Sequence, residues 1–401
     1  MVVSVIGFRY HFREGTINQS VRLDPDRVGS PHRVMDEVRP PTQRIERLMP
    51  LADVLTRIDA SVEPVAPREI NVGDALGRTL AADVHAGPHP RVPLALRDGY
   101  AVSSEETSDA GSYAPAPLSL AVRADVGAPL PSGTDAVAPF DAIDGSARPP
   151  QALAPITPGE GVLPCGQDAD PGEPLLSSGT ALRHVDLAIL AALGIAQVPV
   201  RAPTVRVISV RRDPIARAIT TMLIGSITSA ASVDTSERSV DGALRAPQAD
   251  LIVVVGGSGS GEGDDSVRAL ARSGRLLAHG IGLSPGETSA FGLIDAVPAL
   301  IVPGRLDAAL AVWHVIGARI LRLLSASTEI PATHDATLAR KIASTVGLAE
   351  FVPVRVENDA VTPLASGYLP WRALAGATGY ILVPAHSEGY AAGAIVPVTR
   401  L

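Results

Sequence analysis

LIVVVGGSGSGEGDDSVRALARSG, residues 251–274, reads as a buried strand running into a glycine-rich turn and then a helix. The run Leu251 to Val255 is short, continuous and β-branched, the pattern of a strand covered on both faces. Gly256, Gly257, Gly259 and Gly261 let backbone N–H groups come close to a ligand, with Ser258 between them. The helix behind them adds unpaired donors and the positive end of its dipole. That combination suits an anionic group such as a phosphate. Asp264 and Asp265 stand at the helix start, where they can cap it or hold a divalent cation beside the phosphate. The stretch is neither a dinucleotide fingerprint nor a Walker A loop. By itself it is read equally well as a flexible turn with a capping Asp.

Working outward, TVRVISV (204–210) and ALIVPG (299–304) are two more buried runs. Leu306 to Leu324 has helical spacing, with Ala309, Leu310, Trp313, Ile316, Ile320 and Leu324 on one stripe; Trp313 is expected in the core. Strands alternating with helices predict a parallel sheet with helices on both faces. The turn Pro303–Gly304 and Arg305 then fall at the carboxyl edge of that sheet, where open α/β sheets bind ligands. Arg305 there is read either as an anion partner or as a solvent-exposed arginine at a helix start.

On the C-terminal side, FVPVRV, YILVPA and AIVPVTRL are short strands broken by Gly and Pro turns, so a small β domain is expected. On the N-terminal side, VDLAILAALGIAQVPV predicts a helix, a Gly194 stop and a strand. Residues 89–156 are short apolar runs between Pro-Gly-Asp turns, a second all-β unit. Helical spacing is read over Pro50–Ile58 and again over Val72–Val84. Residues 1–44 are rich in Arg and Pro without apolar periodicity; they are read as a disordered extension, with Met35 a candidate start.

The bulk numbers set limits. A chain of 401 residues with 46% hydrophobic residues supports several cores, built from aliphatic side chains because aromatics are 3%. A net charge of −8 argues against nucleic acid as a partner. No apolar stretch is long enough to span a bilayer. A single cysteine, Cys165, excludes an internal disulfide and fits a reducing cytoplasm. Alone, Asp98 in DGY and Asp168 in GQD read as ordinary turn residues.

In chain order, the segments are DGYAV (98–102), VGAPLPSGTDAV (126–137), GQD (166–168), LAALGIAQVPV, the loop from Gly256 to Asp264, SPGETSAFG, VPGRL and SEGYAAGAIVPV. This order resembles the molybdopterin molybdenumtransferase family, MoeA and the gephyrin E-domain, from about residue 48 to the end. The resemblance implies an α/β multidomain fold with an inserted small β domain. It divides the chain into a linking helical domain (45–88 and 157–200), the β insert (89–156), an α/β molybdopterin-binding domain (201–326) and a C-terminal β domain (327–401). It also implies a homodimer with each site built between subunits. The implied reaction takes adenylylated molybdopterin and molybdate, uses Mg2+ and releases AMP. Asp98, Asp168 and Asp264 match the family's acidic positions, with Asp264 at its metal. Gly256, Gly257, Ser258, Gly259, Gly261, Pro303, Gly304 and Arg305 match its ligand loops.

The departures fall on the anion-binding groups. Ser284 and Glu287 stand where the family has two basic residues, and Gly259 where it has Ser. The family's S-T-G-D-E-L is replaced by Ser209-Val210-Arg211-Arg212-Asp213-Pro214. Arg305 and Ala308 replace an Asn and a Ser, and Val267 a Lys. Each lost charge-assisted bond is worth about 1.5–3 kcal/mol. Arg211, Arg212 and Arg305 are the available compensating cations. The resemblance therefore supports insertion of molybdate into adenylylated molybdopterin. The alternative is a catalytically degraded carrier that delivers molybdopterin to a client molybdoenzyme.

Overall fold

The computed structural model describes residues 43–227, 232–236, 240–244, 249–357 and 360–401. The readings placed on residues 1–42, including the extension and Met35, lie outside the described residues. Gln43 and Arg44 do not share that reading: Gln43 is buried and bonded into the fold.

The α/β part of the chain carries the candidate site. Its sheet has six strands, β1 (Thr204–Ser209), β2 (Ser232–Ser236), β3 (Leu251–Val255), β4 (Arg275–His279), β5 (Ala290–Ile294) and β6 (Val297–Val302). Their order is β2-β1-β3-β6-β5-β4. The strands β2, β1, β3 and β6 run parallel, whereas β5 is antiparallel to β6 and to β4. The expectation of a parallel sheet thus holds for the half that carries the glycine loop. The other half is antiparallel, because no crossover helix lies between β4 and β5 and the chain turns directly from β5 into β6 at residues 295–296.

Alternation along β1 and β3 feeds two cores. Val205, Val207, Leu251, Val253 and Val255 face one, with helices α1 (Leu51–Asp59), α2 (Pro214–Ile227) and the long C-terminal helix. Ile208, Ile252 and Val254 face the other, against α3 (Ser266–Ser273). Helices therefore cover both faces, as the unbroken apolar strands require. The long helix is interrupted: α4 (Leu306–Val312) passes through a π-turn at Trp313–Gly317 into α5 (Ala318–Leu324). A Cβ on Gly317 would lie 2.2 Å from the Trp313 ring, so the turn is built around the indole, which is buried as expected.

The C-terminal β domain is a sheet of seven strands that also takes in Met49–Pro50 and Ile281–Ser284. The insert is β, with its own small cores around Val102, Leu118, Ala136 and Val137. The linking domain differs from its reading. The helix expected over Val72–Val84 is instead a 3-10 turn at Val72–Asp74 and a short strand at Thr79–Leu80. Gly77 takes a φ of +70°, which stops a helix there. The strand pairs with Gln197–Arg201, which also pairs with Arg68–Asn71. The helix His184–Ala192 and the Gly194 stop (φ +74°) are as expected.

Candidate functional site

Three loops meet at the carboxyl edge of β3 and β6. Gly256 and Gly257 take φ of +88° and +68°, a backbone that only glycine adopts cheaply. The Gly256 N–H donates to the Val302 carbonyl at 2.9 Å, and a Cβ on Gly304 would lie 3.7 Å from the Gly256 Cα. The glycine loop and Pro303–Gly304–Arg305 are therefore in contact. The Ser258 and Thr288 hydroxyls lie 3.0 Å apart, which ties the glycine loop to the turn Ser284–Thr288. The structure thus brings together Gly256, Gly257, Ser258, Gly259, Gly261, Asp264, Pro303, Gly304 and Arg305.

The loop is a set of donors. Among the described residues, no protein acceptor takes the N–H groups of Gly257, Ser258, Gly259 or Ser260. Gly257 and Ser258 are buried, so these N–H groups are costly unless a ligand or water meets them. Successive unpaired N–H groups before a helix form an anion-binding concavity.

Asp264 shapes this concavity from inside. Its Oδ2 accepts the Gly261 N–H at 3.0 Å. A Cβ on Gly259 would sit 2.7 Å from that same Oδ2. The carboxylate fills the space that any side chain at position 259 would enter. Neither expected cap is made. Asp265 occupies the N-cap without a side-chain cap bond and is held by Arg272 and Arg268. The Arg272 hydrogen bond, helped by the charges of Arg272 and Arg268 and opposed by burial, holds the Asp265 carboxyl below the ordinary range. Among the described residues, no three His, Cys, Asp or Glu side chains form a metal-holding group. Of the carboxylates at the loop, Asp264 is the one turned into the concavity, with one oxygen in use. That fits a Mg2+ held by a single carboxylate, waters and substrate phosphates, and does not fit an all-protein cage.

The arginines border the loop but are already paired. A Cβ on Gly256 would lie 3.7 Å from the Arg211 Cδ, so the Arg211 stem lies along the loop. The Arg211 guanidinium donates to Asp213 at 2.8 Å. Arg305 makes two bonds to Asp307, at 3.2 and 2.5 Å, and lies 5.6 Å over the Tyr368 ring. Asp307 chiefly, then the field of Glu287 and Tyr368 against desolvation, pushes the Arg305 pKa further up. Glu287 itself accepts the Gly286 N–H at 3.0 Å. The local cations are thus largely neutralised by their own carboxylates, and backbone N–H groups are the main attraction for an anion. The signal was in the sequence: Arg-x-Asp occurs at 211–213 and again at 305–307.

Asp98 and Asp168 are elsewhere. Asp98 is exposed and accepts the Val126 N–H at 2.8 Å. Asp168 lines a 280 Å³ pocket with Gly166, Gln167 and Glu173, its own N–H donated to the His89 carbonyl at 2.9 Å. Among the described residues, no hydrogen bond or ion pair joins either carboxylate to the glycine loop. Cys165 is exposed. A 750 Å³ cleft lined by Trp313, Arg319 and Glu329 shares no residue with the three loops.

One residue of this site had no signal in the sequence. The Gln43 Nε2 donates to the carbonyls of Gly257 at 2.7 Å and Gly259 at 2.6 Å. Behind the same loop, His279 Nε2 lies 3.5 Å from the Ser258 carbonyl, and burial pushes the His279 pKa down.

Known proteins share this fold. The model of the MoeA N-terminal region, domains I and II, matches residues 49–194, and that of the MoeA C-terminal region, domain IV, matches residues 335–401. Molybdopterin molybdenumtransferase 2 of Mycobacterium tuberculosis is 28% identical over 394 residues, covering 84% of this chain and 95% of that one. A putative molybdopterin biosynthesis protein of Methanocaldococcus jannaschii is 25% identical over 373 residues, covering 83% and 92%. The crystal structure of the molybdopterin biosynthesis moeA protein from Pyrococcus horikoshii superposes with a TM-score of 0.71 at 24% identity, covering 88% of this chain and 100% of that one. With both terminal models matched in order on this fold, the chain belongs to the MoeA family.

Proposed function

We propose that this protein acts in molybdenum cofactor biosynthesis as a molybdopterin molybdenumtransferase, placing molybdate on adenylylated molybdopterin with release of AMP. The observation that carries this reading is the run of unpaired N–H groups from Gly257 to Ser260, set beside Asp264 at the carboxyl edge of the sheet. Gly256, Gly257, Ser258, Gly259 and Gly261 cradle the phosphates. Pro303 and Gly304 close one side, and Arg305 places its guanidinium at the rim. Asp264 is the carboxylate that would hold Mg2+ against the phosphate oxygens, and the ion would supply charge neutralisation there. Such donors, fixed before the ligand arrives, are worth most where water is excluded.

Asp98 and Asp168 enter as groups supplied across the interface of a homodimer, which accounts for their separation from the loop within one chain. No described helix is long and apolar enough to cross a membrane. The single cysteine supports work in a reducing cytoplasm. The product would pass to a client molybdoenzyme. The carrier alternative is not favoured, because a relative bearing the transferase name aligns with 84% of this chain.

The test is AMP release from adenylylated molybdopterin with molybdate and magnesium. Molybdate-dependent release is expected, and Asp264→Ala should reduce it by about a hundredfold or more. Tight binding of the pterin without any release would overturn the transferase reading.

A further inference from the structure

We infer that Gln43 is a positioning residue of the anion loop, and that residues 43–50 form a strap belonging to the site. Gln43 is 6% exposed and lies 214 residues from Gly257 in sequence. One side-chain atom faces two carbonyl oxygens, at 2.7 and 2.6 Å. Only the amide nitrogen satisfies both, so the orientation of the amide is settled by its partners. Oε1 is buried without a donor, so the side chain is held to the loop through Nε2 alone.

The bond pattern has a direct geometric effect. In a planar trans peptide the N–H points opposite to the preceding C=O. Drawing the Gly257 and Gly259 carbonyls toward Gln43 turns the N–H groups of Ser258 and Ser260 away from it. Two of the unpaired donors are thereby aimed together, on the side opposite the strap. Glycines on either side leave the loop few other restraints, since their backbones rotate freely.

The strap is fixed at a second point. Met49 and Pro50 pair in parallel with Ile281 and Gly282, and the Met49 N–H donates to the Gly280 carbonyl at 2.8 Å. A Cβ on Gly280 would come within 2.5 Å of the Ile45 side chain and 3.2 Å of the Arg47 carbonyl. Gly280 therefore lets the strap cross close to the strand that leads into the Ser284–Thr288 turn. One segment thus binds the glycine loop and the strand feeding its neighbouring loop, and it sets their spacing.

The experiment compares the full chain with Gln43→Glu and Gln43→Lys. Glu keeps the size but removes the donor, and Lys keeps a donor of similar reach. Hydrogen exchange is read in ligand-free protein over peptides spanning 256–264 and, as an internal control, 349–357. Molybdopterin affinity is read separately, since that arm rests on the proposed function. Gln43→Glu should raise exchange in the loop peptide about tenfold or more without changing the control, and weaken molybdopterin by about tenfold. Gln43→Lys should stay within about threefold of the parent in both. Unchanged loop exchange in Gln43→Glu overturns the proposal. So does a rise shared equally by the control peptide, which marks a merely structural residue. Loop exchange that rises as expected while the parent chain shows no molybdopterin binding overturns the functional reading and leaves the tether standing.

Discussion

Glu287 is the most informative single residue of the site. It stands where the family resemblance implies a basic residue, and its charge lies in the field of Arg305. A carboxylate beside a phosphate cradle opposes the ligand. Glu287→Lys should therefore tighten adenylylated molybdopterin by about tenfold or more, from a new charge-assisted bond of about 1.5–3 kcal/mol. Titration of the variant and parent by calorimetry checks this, and weaker binding in the variant would show that the anion sits elsewhere. The same residue shows what the sequence could and could not disclose. The glycines, Asp264 and the two Arg-x-Asp pairs were all readable along the chain. Gln43 was not, because its partners lie more than two hundred residues away and no local spacing marks it. The Asp264 carboxylate occupying the space above Gly259 was equally hidden, since it depends on the folded loop.

At the scale of elements, the strands were legible because burial on both faces leaves unbroken β-branched runs, as at Leu251–Val255. The misread helix at Val72–Val84 failed for a different reason. Its apolar residues do recur at helical intervals, but a positive φ at Gly77 and pairing with Gln197–Arg201 override that pattern. The π-turn in the long helix was invisible to periodicity, because the Trp313 indole packed against Gly317 is a tertiary arrangement. The turn and the indole should depend on each other. Trp313→Ala is expected to cost about 3–5 kcal/mol in urea unfolding, the range for an aromatic removed from a core. A cost below about 1 kcal/mol would show that the helix re-closes without it.

For the whole molecule, two half-buried histidines set a limit on stability. Burial lowers the pKa of His279 and of His314, which lies beside Phe351 and Tyr380. A depressed histidine pKa means that the unfolded chain takes up the proton first as pH falls. The stability these groups leave intact is full above the unfolded value of about 6.5 and is lost as pH drops through it toward the folded values. Denaturant midpoints should fall between pH 7.5 and pH 5.5, and His314→Leu should flatten that slope. An unchanged slope in the variant would assign the loss to other groups. The lowered carboxyl groups, such as Asp265 and Asp186, act in a separate window below about pH 4.

The first helix has a consequence for how this chain is made. Leu51, Val54 and Ile58 bury their side chains in a core completed by Phe291, Trp313, Phe351 and Tyr380. On the ribosome, α1 emerges early and waits with its apolar stripe in water until nearly the whole chain has been translated. The β insert, whose cores are drawn from residues between Ala95 and Val162, needs no such wait. A nascent chain arrested near residue 200 should carry a folded insert beside an uncovered helix, a ready target for a holding chaperone.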